Sequence, residues 1–188
     1  MIKIMRLIEL KSDLKEAFLD FANDYENSGE NRYLTAKNHF DEFLEKLITG
    51  KKKENLPPEF VPGIQYFMVD GKRILGSIRF RFYLNNNLEK EGGHIGYDIR
   101  PSERRRGYGT LILKLVLEKV IEKGLKEILI TCDSDNIGSK RIIEKNGGIF
   151  IDEVFIDISK KNVSRFKIIL TSNKNTALNS DSANATSE

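Results

Sequence analysis

With 188 residues, 39% of them hydrophobic, the chain has the size and apolar content of one domain built around one continuous core. Its 31 lysines and arginines against 28 acids leave a formal charge of +3, too small an excess to make the chain as a whole a nucleic-acid binder. Cys132 is the only cysteine and the two histidines, His39 and His94, lie far apart, which argues against an internal disulfide, a structural zinc site and a histidine-rich metal centre; no metal is expected, and a reducing, cytoplasmic setting fits.

Met1–Leu10 lacks the apolar run and cleavage site of a signal peptide and reads as a first strand, with Ser12 or Asp13 capping the helix after it. Leu14, Phe18, Phe21 and Ala22 then recur at helical spacing, as do Phe40, Phe43, Leu44, Leu47 and Ile48 in a second helix ending at Gly50, with Glu26–Arg32 as a polar connector. The lysines and prolines of Lys51–Pro62 mark an exposed loop. Ile64–Val69, the Asp70-Gly71-Lys72 turn and Ile74–Leu84 form a hairpin signal, because Asp-Gly suits the positive φ of a tight turn. A turn region over Asn85–Gly93 precedes a strand at His94–Ile99.

Beyond Pro101 the pattern becomes helix Gly107–Lys123, strand Glu127–Cys132 and helix Asn136–Lys145, the helices closed by Gly124 and by Asn146-Gly147. The unbroken run Ile128, Leu129, Ile130 suits a strand covered on both faces. Strands at Ile149–Ile156 and Arg165–Leu170 complete a domain of residues 1–170, and the polar residues 171–188 read as a disordered tail. No stretch is long and apolar enough to span a membrane.

The chemistry-bearing segment is Arg104-Arg105-Arg106-Gly107-Tyr108-Gly109-Thr110, at the start of the most apolar helix. The first amides of a helix lack partners and carry the positive end of its dipole, so an anion is favoured there. Glycines at 107 and 109 let an oxyanion approach the backbone, and the neighbouring arginines supply charge-assisted donors. A diphosphate-bearing cofactor is therefore implied. The dinucleotide fingerprint would need glycine at position 112, which is Ile112, and the P-loop would need Gly-Lys-Ser/Thr, which is absent. A second constellation, Cys132–Asn136 with Ser139, sits where a strand gives way to a helix, a place where ligands of open α/β sheets bind. Asn136 caps that helix or turns its amide to a ligand.

Over residues 94–150 the chain resembles the GNAT acetyltransferase family, and His94–Thr110 and Cys132–Gly148 are similar to a bacterial branch of it. The resemblance implies a mixed α/β fold: a mostly antiparallel central sheet flanked by helices, with a parallel strand pair opening to bind acetyl-CoA. It implies that backbone groups of Ile99 and Arg100 pair with the pantetheine arm. Arg104, Arg105, Arg106, Gly107, Tyr108, Gly109 and Thr110 then hold the pyrophosphate, with Asn136 and Ser139 beside the cofactor. The acceptor is a small-molecule or peptide amine, and the enzyme a monomer or homodimer. Where the family often carries glutamate at the strand start this chain has His94, and where it commonly carries a proton-donating tyrosine this chain has Ile143.

Attack on a thioester requires a neutral amine, and for an amine of pKa about 10.4 removing the proton at pH 7 costs roughly 4–5 kcal/mol. His94 is the candidate base and Tyr97 a candidate proton donor, with Tyr108 and Asp133 as further possibilities; Cys132 reads as a small buried residue rather than a nucleophile. The alternatives are a non-catalytic acyl-CoA sensor and a nucleic-acid binder using the arginine cluster, the latter requiring steep salt dependence.

Overall fold

The computed structural model describes residues 5–170. Met1–Ile4 of the first predicted strand and the predicted tail lie outside them. Seven strands form one sheet in the order β1-β2-β3-β4-β5-β7-β6: β1 Arg6–Glu9, β2 Gly63–Asp70, β3 Arg73–Arg81, β4 Ile95–Ile99, β5 Glu127–Asp133, β6 Gly148–Ile156 and β7 Lys161–Ile169. Every pairing is antiparallel except β4 with β5. Helix α1 (Lys15–Asn27), the short α2 (Leu34–Asn38) and α3 (Phe40–Thr49) precede the hairpin; α4 (Asn86–Lys90), α5 (Tyr108–Glu122) and α6 (Ile137–Lys145) come after it.

The sheet separates two cores. On one face Phe18, Phe21 and Tyr25 of α1 pack with Phe40, Phe67 and Ile74; on the other Ile112, Leu113, Val116 and Val120 of α5 pack with Met68, Ile78, Phe80 and Ile95. Strand β3 serves both because its register slips between Met68 and Val69, leaving Leu75 as an extra residue. Ile74 consequently faces α1, whereas Ile78 and Phe80, of the same parity, face α5. The odd positions Ser77, Arg79 and Arg81 are thereby turned to the α1–α3 side.

Several boundaries differ from those predicted. Helix α1 runs through Glu26 to Asn27, into the predicted connector, whose end instead leads to α2. Strand β3 stops at Arg81, short of the expected Leu84, and Asn85 caps a turn of helix by accepting the Leu88 amide at 3.0 Å. In the hairpin turn only Gly71 has positive φ. Strand β7 starts at Lys161, where Lys161–Ser164 is too polar to read as strand; pairing with β5 and β6 supplies what propensity lacks. Leu129 is half-buried, so β5 is sealed on one face more tightly than on the other.

A seam of charge fastens α1 to β4. Arg100, buried, donates to Asp24 and to Asp20, each at 2.7 Å, while the Ser102 amide and hydroxyl also reach Asp24, at 3.0 and 2.6 Å. The Arg100 hydrogen bond holds Asp20 below the usual carboxylate range; for Asp24, desolvation pulls upward but the Ser102 and Arg100 bonds outweigh it. Depressed carboxylates stabilise the fold above their unfolded pKa of about 3.9 and cease to do so as pH falls through the native value. Arg100→Ala should therefore lower unfolding free energy by about 2–3 kcal/mol at pH 7. In urea titrations that gap should narrow below pH ~4; an unchanged gap would dissociate these acids from the seam.

Candidate active site

Strand β4 pairs with β5 at one ladder position, Ile95 opposite Ile130. That end is closed further by the His94 amide, which donates to the Leu129 carbonyl at 2.8 Å. Past this point the strands are no longer paired, and a cavity of about 600 Å³ opens between β4, the start of α5 and the start of α6. Tyr97, Ile99, Arg104, Arg105, Gly107, Tyr108, Gly109, Thr110, Asn136 and Ser139 all line it, so most of the predicted site residues converge on one cleft.

The direction of the β4 backbone is set by two bonds. Arg81 donates to the His94 carbonyl and Arg100 to the Leu75 carbonyl, so even-numbered residues of β4 hydrogen-bond toward β3. The main-chain groups of Tyr97 and Ile99 face the cleft instead. Arg100 does not supply the expected main-chain contact there, since its amide is taken by β3 and its side chain by α1. The Ile99 carbonyl accepts from Arg104 Nε at 3.1 Å, at the end of that edge.

Helix α5 begins at Gly107, whose φ of 83° is left-handed and which has no side chain to cap the helix. The first intrahelical bond back to the cap is from the Leu111 amide, at 3.2 Å. The amides of Tyr108, Gly109 and Thr110 are thus left at the positive end of the longest helix, beside the cleft. Gly109 has a second duty: a Cβ there would lie 2.5 Å from Cδ1 of Ile142, so the glycine also sets the approach of α5 to α6.

The arginine cluster is less available than its sequence suggests. Arg104 forms a two-pronged pair with Glu30 at 2.6 and 2.8 Å, and its guanidinium lies over the Tyr25 ring. Arg106 donates to the buried Glu103 at 2.9 Å and does not line the cleft. Arg105, exposed and held at φ 61°, is the member without a hydrogen bond or ion pair among the described residues.

Asn136 behaves as a helix cap, its Oδ1 accepting the Ser139 amide at 2.9 Å. The Tyr97 hydroxyl is buried and without a hydrogen-bond partner among the described residues. Burial pushes its pKa up to about 12, with the neighbouring Ser139 side chain pulling the other way. His94 lines neither this cleft nor the cavity on the α1–α3 face, and its Nδ1 takes the Leu129 amide at 3.1 Å; burial lowers its pKa, with the Leu129 backbone partly opposing. Cys132 is pushed up to about 11 by burial, which disfavours a thiolate. Ile143 lies in the core; it is Ile142, one residue earlier, that faces the cleft.

The cavity on the α1–α3 face has a volume of about 450 Å³, and Asp98 lines both it and the cleft. Sequence patterning did not single out Asp98. It accepts from the Tyr25 hydroxyl at 2.5 Å, the Tyr33 hydroxyl at 2.9 Å and Arg32 Nε at 3.0 Å, and burial raises its pKa against the pull of Arg32 and the phenols. The charges carried by α1, α3 and the segments beside them are paired with one another or with the turn before α5: Glu26 with Lys37, Glu30 with Arg104, Asp41 with Lys15, and Lys51 with Glu9. No residue of the Lys51–Pro62 loop lines this cavity.

The sequence matches the family described as acetyltransferase (GNAT) domain over residues 4–149. The chain belongs to the GNAT acetyltransferase family. No curated protein matches it in sequence. Among solved structures, the ribosomal-protein-S5-alanine acetyltransferase from Vibrio fischeri shares the fold with TM-score 0.67 and 13% identity, covering 90% of this chain and 95% of that one. The microcin C7 self-immunity acetyltransferase, in complex with acetyl-CoA and AMP, superposes with TM-score 0.66 at 13% identity over 88% and 92%. A spermidine N-acetyltransferase chimera involving Vibrio cholerae gives 0.58 at 15% identity over 88% and 95%. As in this family, the mixed α/β sheet is mostly antiparallel with one parallel pair, and the chain is accordingly an acyltransferase.

Two substitutions separate the roles of the turn. Arg105→Ala should weaken coenzyme A binding about tenfold, as loss of a charge-assisted contact would, with Arg104→Ala acting less on affinity and more on the α1–α2 connector. Gly109→Val should lower both affinity and stability, the latter by ~1–3 kcal/mol through overpacking against Ile142. Calorimetry with coenzyme A and thermal melts check both; equal affinity for Arg105→Ala and the unaltered protein would place the phosphates elsewhere.

Proposed function

We propose that the protein transfers an acetyl group directly from acetyl-CoA to the amine of a small molecule or peptide. The observation that carries the reading is the cleft itself: three helix-start amides without a capping side chain, the outward edge of β4 and an unpartnered buried phenol all line one opening. Those features suit, in order, a diphosphate, an amide-bearing arm and a sulfur that must be protonated. Bound acetyl-CoA supplies an activated acetyl thioester.

The residues of the chain divide the remaining work. The amides of Tyr108, Gly109 and Thr110, with Arg105, bind the diphosphate; the Tyr97 and Ile99 backbone aligns the arm; Asn136 and Ser139 border it from α6. Tyr97 holds a proton at Oη throughout the neutral range, since its raised pKa keeps the phenol intact; as the N–C bond forms and the C–S bond breaks, it is the group to hand that proton to the departing thiolate and to regain one from the nitrogen that has attacked. Asp98, common to both cavities, marks where an amine from the α1–α3 side meets the cleft. His94 is not carried into this scheme, because its ring is bonded to the β5 backbone at the closed end. The chain performs its acyl transfer without a covalent enzyme intermediate in this scheme, in keeping with the raised Cys132 thiol.

The test is thiol release from acetyl-CoA across a panel of primary amines. Turnover with at least one amine is expected; tight coenzyme A binding with no transfer to any would favour a sensor. Tyr97→Phe should reduce kcat about 10²-fold with coenzyme A affinity unchanged, the scale of a lost general acid, and an unaffected kcat would remove Tyr97 from catalysis.

A further inference from the structure

The cavity on the α1–α3 face has an unbalanced lining. Strand β3 presents Arg79 and Arg81 to it from alternate positions, and α3 adds Lys46. Its acids are Asp98, bonded to Arg32 at 3.0 Å, and Glu42, which lies 3.4 Å from His39. Neither acid reaches the two β3 arginines, and no carboxylate pairs with either among the described residues.

This sets them apart from the other arginines. Arg32, Arg73, Arg100, Arg104, Arg106 and Arg165 each pair with a carboxylate. Arg6, Arg105 and Arg141, which do not, are exposed to water. Arg79 and Arg81 alone are both half-buried and without a counter-ion among the described residues. Burial lowers the pKa of Arg79 and brings Arg81 down to about 10, the charge of Arg79 adding to the effect. Two guanidinium groups that are partly desolvated and mutually repelling are stabilised by an anion between them.

The room for that anion is also built. Gly96 of β4 stands directly opposite Arg79 in the register, and a Cβ placed there would lie 3.9 Å from Nη1 of Arg81. The Arg81 side chain is fixed in position by donating from Nη1 to the Gly92 and Gly93 carbonyls at 3.2 and 3.1 Å, leaving its other guanidinium nitrogens without a protein partner among the described residues. The Arg79 side chain makes no hydrogen bond among the described residues. Asp98 lies two residues along β4 from Gly96, on the same face, about 7 Å away at strand rise. The cavity therefore has a buried carboxylate, Asp98, already bonded to Arg32 and two phenols, where it meets the coenzyme cleft, and a pair of arginines without a carboxylate partner farther along β3.

We infer that the acceptor is zwitterionic: its amine enters at Asp98 and a carboxylate or phosphate on the same molecule is held by Arg79 and Arg81. This rests on the acetyl-transfer reading for the amine, but the anion site itself is open to test by binding alone. Arg79 and Arg81 are specificity-determining in this assignment, touching the substrate away from the reacting atoms.

The experiment uses matched amines with the full chain and acetyl-CoA: β-alanine against β-alaninamide for the carboxylate, O-phosphoethanolamine against ethanolamine for the phosphate, and spermidine as an acceptor without an anion. The anionic member of at least one pair should be preferred by about tenfold or more in kcat/KM, and the pair that shows it identifies the anion. Arg79→Gln should collapse that preference through KM while coenzyme A affinity stays the same; Arg81→Gln should do likewise. Spermidine or the neutral twins being the better substrates, or Arg79→Gln slowing both twins equally, would overturn the inference. If no amine is acetylated, calorimetry of the same pairs against the coenzyme A complex decides: selective binding of an anionic twin, lost in Arg79→Gln, upholds the anion site while the transfer reading falls. Equal binding of the twins, or none, overturns it.

Discussion

Two strands that start as neighbours and then part govern what this molecule can do. Strand β4 meets β5 at Ile95 and Ile130, and beyond that pair the outward groups of Tyr97 and Ile99 have no strand to bond with. An unpaired strand edge in the middle of a sheet is costly unless something completes it. The edge persists because β4 is held from its other sides. Strand β3 bonds it continuously from Phe80 to Gly76, and α1 grips it through Arg100 and Asp98. The cleft is thus a consequence of where β4 is fastened.

That fastening explains how the charged residues near the site divide. Arg100, Arg104 and Arg106 commit their charge to Asp20, Asp24, Glu30 and Glu103, tying the turn before α5 to α1 and to the core. The groups left without a protein partner beside the cleft are the first main-chain amides of α5 and Arg105, which is what the proposed anion site requires. Along β3 the opposite holds, where neither Arg79 nor Arg81 has a carboxylate partner among the described residues. The same type of residue is structural at the end of β4 that leads to α5 and unpaired in the neighbouring stretch of β3.

Much of the fold is legible because local signals agree. The Asp-Gly turn, the glycines after α5 and α6, and the switch from period two to helical spacing place most elements within a few residues. Misplaced boundaries fall where neighbours decide the structure: Lys161–Ser164 is strand because β5 and β6 flank it, and Glu26 is helix because α1 continues over the phenylalanine core. The anion-receptive turn is legible for the same reason, since an uncapped helix start after glycine is a local arrangement.

The chain alone determined the residue types at the start of α5, the glycine spacing that opens its first amides, and the absence of cysteine and histidine sets for metal chemistry. Only the tertiary structure decided which arginines lack a carboxylate partner among the described residues, that Asp98 lines two cavities, that Tyr97 lines the cleft while Ile143 lies in the core, and that His94 sits at its closed end. The physical reason is range. Capping and turn geometry depend on residues a few positions apart, whereas the state of a charge depends on partners such as Glu30 and Arg104, 74 residues apart in the chain, or on the lack of any.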